Sequence, residues 1–170
     1  MVNRTALYEA HLSLGAKIID FGGWEMPVDY PTRILQEHNA TRAAAGLFDT
    51  GHMGELAIEG PGALDSLQAL VSRDLNNLAD GQGRYALLTT PHGAVYDDLI
   101  IFKRSEHHYY VVTNAGTRES NVEQISAHLK HATLTDLTPE TQKLDLQGPK
   151  TFEILAKLCK TEVKKLKRFY

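Results

Sequence analysis

Two aspartates stand side by side in the run Tyr96-Asp97-Asp98-Leu99-Ile100-Ile101-Phe102. Alternation along a strand places Tyr96, Asp98, Ile100 and Phe102 on one face, and Val95, Asp97, Leu99 and Ile101 on the other. Both faces are apolar beyond the pair, so the strand reads as buried on both sides, with at least one carboxylate directed into a largely apolar region. Burying a carboxylate without a partner is costly, and the cost shows as a raised pKa or a recruited hydrogen-bond donor. Such a group can bind a ligand's N–H or handle a proton. The alternative, that both aspartates merely cap an exposed strand start, stays open at this level.

A second cluster is Gly46-Leu47-Phe48-Asp49-Thr50-Gly51-His52-Met53-Gly54. Its glycines let the backbone turn sharply and approach a ligand closely, and His52 and Met53 sit at a strand entrance where binding groups are common. It reads equally as a linker whose Phe48 and Met53 fill gaps in a core. Asp20-Phe21-Gly22-Gly23-Trp24-Glu25-Met26-Pro27 is either a ligand wall or an aromatic plug under a loop. Metal chemistry finds little support. His107 and His108 point to opposite strand faces, His128 and His131 have no third ligand nearby, and one cysteine, Cys159, cannot build a thiolate zinc site. Neither a Walker loop, a dinucleotide fingerprint nor a nucleophile elbow occurs.

These residues need elements to hold them. A helix is expected over Thr5 to Leu14, stopped by Gly15, then a strand from Lys17 to Asp20. Gly22-Gly23 and two prolines are expected to break regular structure through Tyr30, and a helix follows over Arg33 to Ala45. Gly54 to Glu59 alternates as a strand, and Gly60-Pro61 opens a helix whose buried stripe is Ala63, Leu67, Leu70 and Val71. Arg84 to Thr89 and Ala94 to Phe102 flank the turn Thr90-Pro91-His92-Gly93 as a hairpin, with His108 to Thr113 as a third strand. A helix over Arg118 to Leu129, short strands at Thr133 to Leu137 and Lys143 to Leu146, and a helix over Lys150 to Leu158 complete the order. Strands and helices alternating with a hairpin between them point to an α+β fold of ferredoxin-like, split-βαβ type.

With 170 residues the chain holds one large domain or two small ones, and 42% hydrophobic with 23% charged residues is ordinary for a globular protein. A net charge of −3 argues against a nucleic-acid binder, and no apolar run approaches a membrane span. A reducing, cytoplasmic setting is expected. The lysines and Arg168 near the end read as a solvated face or as a docking surface for an acidic partner.

Taken in order, several segments resemble the T-protein family of the glycine cleavage system, the tetrahydrofolate-dependent aminomethyltransferases. They are Thr5 to His11, Leu14-Gly15-Ala16-Lys17, Asp20 to Pro27, Gly46 to Asp49, His52-Met53-Gly54, Gly93 to Leu99, Val111 to Ala115 and Gln147 to Lys150. The resemblance implies the family's folate-binding fold, with residues 1–50 and 140–170 packing with each other and residues 51–139 forming a central subdomain. It also implies transfer of a one-carbon unit from aminomethyl-lipoyl H-protein to tetrahydrofolate, with release of ammonia. Tetrahydrofolate is then a co-substrate and no metal is required.

The same resemblance gives Asp98 the catalytic role beside the reacting folate nitrogens, partly desolvated. It makes Met53, Tyr85, Ile100 and Asn114 lining residues of the folate pocket. Phe169 corresponds approximately to an aromatic contact near the end, without the family's hydroxyl, and Thr50-Gly51 replaces the usual Val-Ser. Family members are longer, so the chain is expected to lack the later domains, to bind folate weakly or not at all by itself, and to turn over little. A non-catalytic folate-binding relative and a sarcosine-type donor are the alternatives.

Overall fold

The computed structural model describes residues 2–159 and 163–170. It is an α+β structure in two compact units, one of residues 1–52 and 142–167, the other of residues 53–141 and 168–170.

The second unit carries the hydrophobic core and a five-stranded antiparallel sheet. Its strands and helices are labelled here in whole-chain order: β5 (Gly54–Glu59), α3 (Ala63–Leu70), β6 (Gly83–Thr89), β7 (Val95–Ser105), β8 (His108–Thr113), α4 (Arg118–Ser126) and β9 (Thr133–Asp136). The sheet order is β6-β7-β8-β5-β9, every neighbour antiparallel. It follows that β5 runs parallel to β7, and β8 to β9. The chain therefore makes two split βαβ units, β5-α3-β7 and β8-α4-β9, interleaved in the ferredoxin-like manner. Strand β6 is an addition on the outer edge.

Alternation in β5 sends Leu56 and Ile58 to the helix-covered face, where they meet Leu67 of α3, Ile125 of α4, and Leu99, Ile101 and Val111 of the neighbouring strands. The stripe predicted for α3 is buried as its spacing requires, and each fully buried Leu or Ile contributes about 1.5–3 kcal/mol. Gly62, just ahead of α3, has no room for a side chain: a Cβ would lie 1.9 Å from the Lys130 carbonyl oxygen.

The first unit contains β1 (Asn3–Arg4), α1 (Tyr8–Ser13), β2 (Lys17–Phe21), β3 (Trp24–Asp29), α2 (Ile34–Ala43), β4 (Gly46–Asp49), β10 (Leu144–Gln147) and α5 (Thr151–Leu158). Residues 24–29, expected to be irregular, form β3. Gly22 and Gly23, at φ 60° and 85°, make the two-residue turn that returns Trp24 opposite Phe21. Pro27 is tolerated because the β2–β3 register shifts beside it, at Lys17 and Ile18. Residues 46–49, read as a linker, pair antiparallel with β10 as β4.

Candidate functional site

The register of the second unit's sheet brings several of the predicted residues onto one face. Tyr85 lies opposite Ile100, Ile100 opposite Val112, and Val112 opposite Glu55, so these four occupy one row on the face turned away from α3 and α4. One step along, Asp98 lies opposite Leu87 on the same face. Met53 is half-buried one residue ahead of β5, and Asn114 follows β8 by one residue. Phe169 packs edge-on against Tyr85, with ring centroids 6.2 Å apart, and its carbonyl accepts the Gly83 N–H at 2.6 Å. Strand pairing and the approach of Phe169 thus bring Tyr85, Ile100, Asp98 and Phe169 to one end of the face.

The aspartate pair divides as alternation requires. Asp97 is the buried one, 9% exposed, on the helix-covered face. Its Oδ1 accepts from Asn114 Nδ2 at 2.8 Å, and its Oδ2 accepts from Thr117 Oγ1 at 2.7 Å and from the fully buried Asn121 Nδ2. Burial pushes its pKa up. The hydrogen bonds from Thr117, Asn114, Asn121 and the Asp98 N–H outweigh that and hold it below the usual carboxylate range.

Asp98 is exposed, which corrects the expectation of a partly desolvated carboxylate and of a strand buried on both sides. The physical reason is its place beside the edge strand β6, whose Tyr85 and Leu87 are themselves exposed and do not cover it. A register shift between Leu88 and Thr89 adds to this opening, because Val95 pairs with Thr89 and Asp97 with Leu88, leaving Tyr96 as the extra residue of a bulge.

Asn114 joins the two carboxylates. Its one Nδ2 donates to Asp97 Oδ1 and, at 3.0 Å, to Asp98 Oδ1, with the Asp98 carbonyl oxygen at 3.2 Å. The buried, multiply bonded Asp97 fixes the amide, and the amide orients the exposed Asp98. Oδ2 of Asp98 has no hydrogen-bond donor among the described residues, so it is available to a ligand's N–H.

Sequence reasoning missed Thr117 and Asn121. Their spacing of four across the start of α4 was the available signal, since it places two polar side chains on the turn that also buries Ile125. It also missed Glu55, only 4% exposed, beside Tyr110. Burial, followed by the hydrogen bond and charge of Glu55, pushes the Tyr110 hydroxyl well above its ordinary pKa.

Two other places carry polar chemistry. In the first unit, Asp49 accepts from His11 Nε2 at 2.9 Å, Thr5 Oγ1, Gln142 Nε2 at 2.8 Å and the Gly51 N–H at 2.9 Å. His11 Nδ1 pairs with the Tyr30 hydroxyl at 2.8 Å. His52 lies in this unit, edge-on to Phe21, and burial lowers its pKa. In the second unit, a cavity of about 580 Å³ opens on the helix side beside Asp65, His128, Lys130 and His131, away from every predicted site residue. Among the described residues no group of three His, Cys, Asp or Glu side chains is placed to hold a metal, and no helix is long and apolar enough to cross a membrane.

Comparison with known proteins shows the family. The GCVT N-terminal domain family matches residues 7–170. The aminomethyltransferase of Shouchella clausii is 47% identical over 167 residues, covering 98% of this chain and 45% of that protein. The aminomethyltransferase of Symbiobacterium thermophilum is 46% identical over 163 residues, covering 93% and 43%. Among solved structures, the glycine cleavage system aminomethyltransferase T from Bartonella henselae superposes with a TM-score of 0.88 at 36% identity, over 92% of this chain and 44% of that one. The heterotetrameric sarcosine oxidase of Corynebacterium sp. U-96 shares the fold alone, with a TM-score of 0.52 at 17% identity over 73% and 62%. The chain thus spans less than half the length of these aminomethyltransferases. On the family match across nearly its whole length, the chain belongs to the GCVT N-terminal domain family.

Proposed function

We propose that this chain is the folate-contacting part of an aminomethyltransferase of the glycine cleavage system. That enzyme takes an aminomethyl group from the lipoyl arm of H-protein, releases ammonia and leaves the carbon on tetrahydrofolate as the 5,10-methylene form. In this reaction the carbon's bonds to sulfur and to the amino nitrogen break, and two bonds to folate nitrogens form. The two protons those nitrogens lose pass to ammonia and to the dihydrolipoyl thiol.

The observation that supports this reading best is the Asp97–Asn114–Asp98 linkage. It holds one carboxylate rigidly on a face that also presents Tyr85 and Ile100. Asp98 Oδ2 accepts the N–H of the attacking nitrogen and steadies the positive charge that grows there as the bond to carbon forms. The Tyr85 ring and Ile100 give a flat, partly apolar seat, Phe169 backs Tyr85, and Met53 borders the same sheet. Asn114 contributes its Oδ1, because its amide hydrogens are committed to the two carboxylates. A sarcosine-type donor rests on shared fold alone, whereas aminomethyltransferases match at 46–47% identity.

Calorimetric titration with tetrahydrofolate tests the seat. The chain is first fused to the part of its Shouchella clausii relative that it does not cover. Tyr85→Ala and Asp98→Asn are each expected to weaken binding at least fivefold. Unchanged affinity in both variants removes this face from the folate site.

A further inference from the structure

A smaller hollow of about 190 Å³ lies at the far end of β6, bounded by Arg73, Arg84, Arg168, Gln82 and the aromatic pair Tyr85 and Phe169. At roughly 30 Å³ per water it has room for about six waters, enough for one oxyanion and too little for a nucleotide. Three arginines bound the hollow in a chain whose net charge is −3. Like charges so placed repel one another, and none of the residues bounding the hollow is acidic.

Two of the three guanidiniums are held in place by contacts that leave donors free. Nη1 of Arg84 donates to the Asp74 carbonyl oxygen and to Asn77 Oδ1 at 2.6 Å, which leaves its Nε and Nη2 for other acceptors. The Arg168 guanidinium stacks over the Phe169 ring at 4.9 Å from its centroid, an attraction that fixes the group without using any N–H. Arg73 is exposed, and neither it nor Arg168 has a carboxylate partner among the described residues. Asp74 feels the charge of Arg84. Its Oδ1 accepts the backbone N–H of Asn76 at 2.9 Å and that residue's amide at 2.8 Å, and Asp74 does not bound the hollow.

We infer that this hollow is an oxyanion-binding site, recognising a phosphate or carboxylate group by charge-assisted hydrogen bonds from Arg73, Arg84 and Arg168. An anion seated there removes the repulsion among the guanidiniums and satisfies donors that the protein leaves open. This goes beyond the folate reading and does not depend on it, because anion binding is measured with no folate present.

The test is a titration of the ¹⁵N-labelled chain, following the Gly83 amide and the arginine Nε–H signals. Inorganic phosphate is used in one arm and tri-γ-glutamate in the other, with chloride holding ionic strength constant. Saturable shifts at millimolar concentration are expected in at least one arm, and the arm that saturates identifies the ligand as phosphate-bearing or carboxylate-bearing. The double variant Arg73→Gln/Arg168→Gln is expected to weaken binding at least tenfold. Both substitutions lie at exposed side chains, and Arg84, which braces the Asp74–Asn77 loop, is left intact. Shifts that fail to saturate in both arms overturn the site, as does an unchanged affinity in the double variant. The Gly83 amide shift of the unliganded variant checks that the hollow itself is preserved.

Discussion

Asp97 and Asp98 are chemically identical neighbours given different work by their surroundings. Asp97 accepts three side-chain hydrogen bonds under α4, while Asp98 shares one amide with it and stands open on the other face. Removing a donor from the buried carboxylate therefore costs stability. Asn121→Ala is expected to lower unfolding free energy by about 1.5–3 kcal/mol, the range for hydrogen bonds to charged groups, as measured by urea denaturation. The pH dependence has a definite sign. Hydrogen bonding holds the folded-state pKa of Asp97 below its unfolded value, so its contribution is fully present above the unfolded pKa of about 3.9 and is lost as pH falls through the lower folded value. Asp49 in the first unit follows the same sign. Burial raises its pKa, and bonds from Thr5, His11 and Gly51 outweigh that. Thermal midpoints of the wild type are expected to fall below about pH 4, and less steeply in Asp97→Asn. A slope unchanged by that substitution would show that Asp97 is not held in its charged form.

At the scale of elements, pairing rather than propensity decides what works. The alternation of Tyr96 to Phe102 was legible in the sequence and places Asp98 with Ile100, but the alternation alone leaves open which aspartate is buried. That depends on Thr117 and Asn121 at the start of α4 donating to Asp97, and on β6 being an edge strand, the latter a consequence of sheet order. Residues 46–49 escaped notice because four residues bounded by glycines carry no period, and their partner β10 lies almost a hundred positions away. Residues 24–29 escaped because Pro27 argues against a strand, and only the register shift beside it resolves the conflict. The helix α3 illustrates the opposite case, since its stripe and its Gly60-Pro61 opening were both readable. Its packing sets a sharp test at Gly62. Gly62→Ala forces a methyl group against the Lys130 carbonyl and is expected to cost about 1–3 kcal/mol in denaturation experiments.

Across the whole molecule, the two units are unequally cored. The buried cluster of Leu, Ile, Val and Tyr side chains belongs to the second unit. The first unit instead leaves Leu14, Ile34, Leu35, Leu47 and Leu158 exposed, and α2 buries no residue at all. Its order rests largely on polar contacts such as the His11–Asp49 network and on strand pairing. Amide hydrogen exchange is expected to be slowest in β5, β7 and β8 and faster throughout the first unit. Equal protection in both units would contradict this division. Composition and periodicity announced an α+β protein, but not this imbalance, because the same apolar residue types serve a buried stripe in α3 and an exposed surface in α2.

Two single substitutions, made in the chain fused to the remaining length of its Shouchella clausii relative, decide whether Asp98 carries the one-carbon chemistry. Turnover with aminomethyl-lipoyl carrier and tetrahydrofolate is read beside the thermal midpoint. Asp98→Asn is expected to lower kcat by roughly 100-fold or more, the scale of losing one electrostatic stabiliser of the transition state, while the midpoint stays within a degree or two. Asp97→Asn is expected to lower the midpoint by several degrees. Full turnover in Asp98→Asn would contradict the assignment of the one-carbon chemistry to this carboxylate.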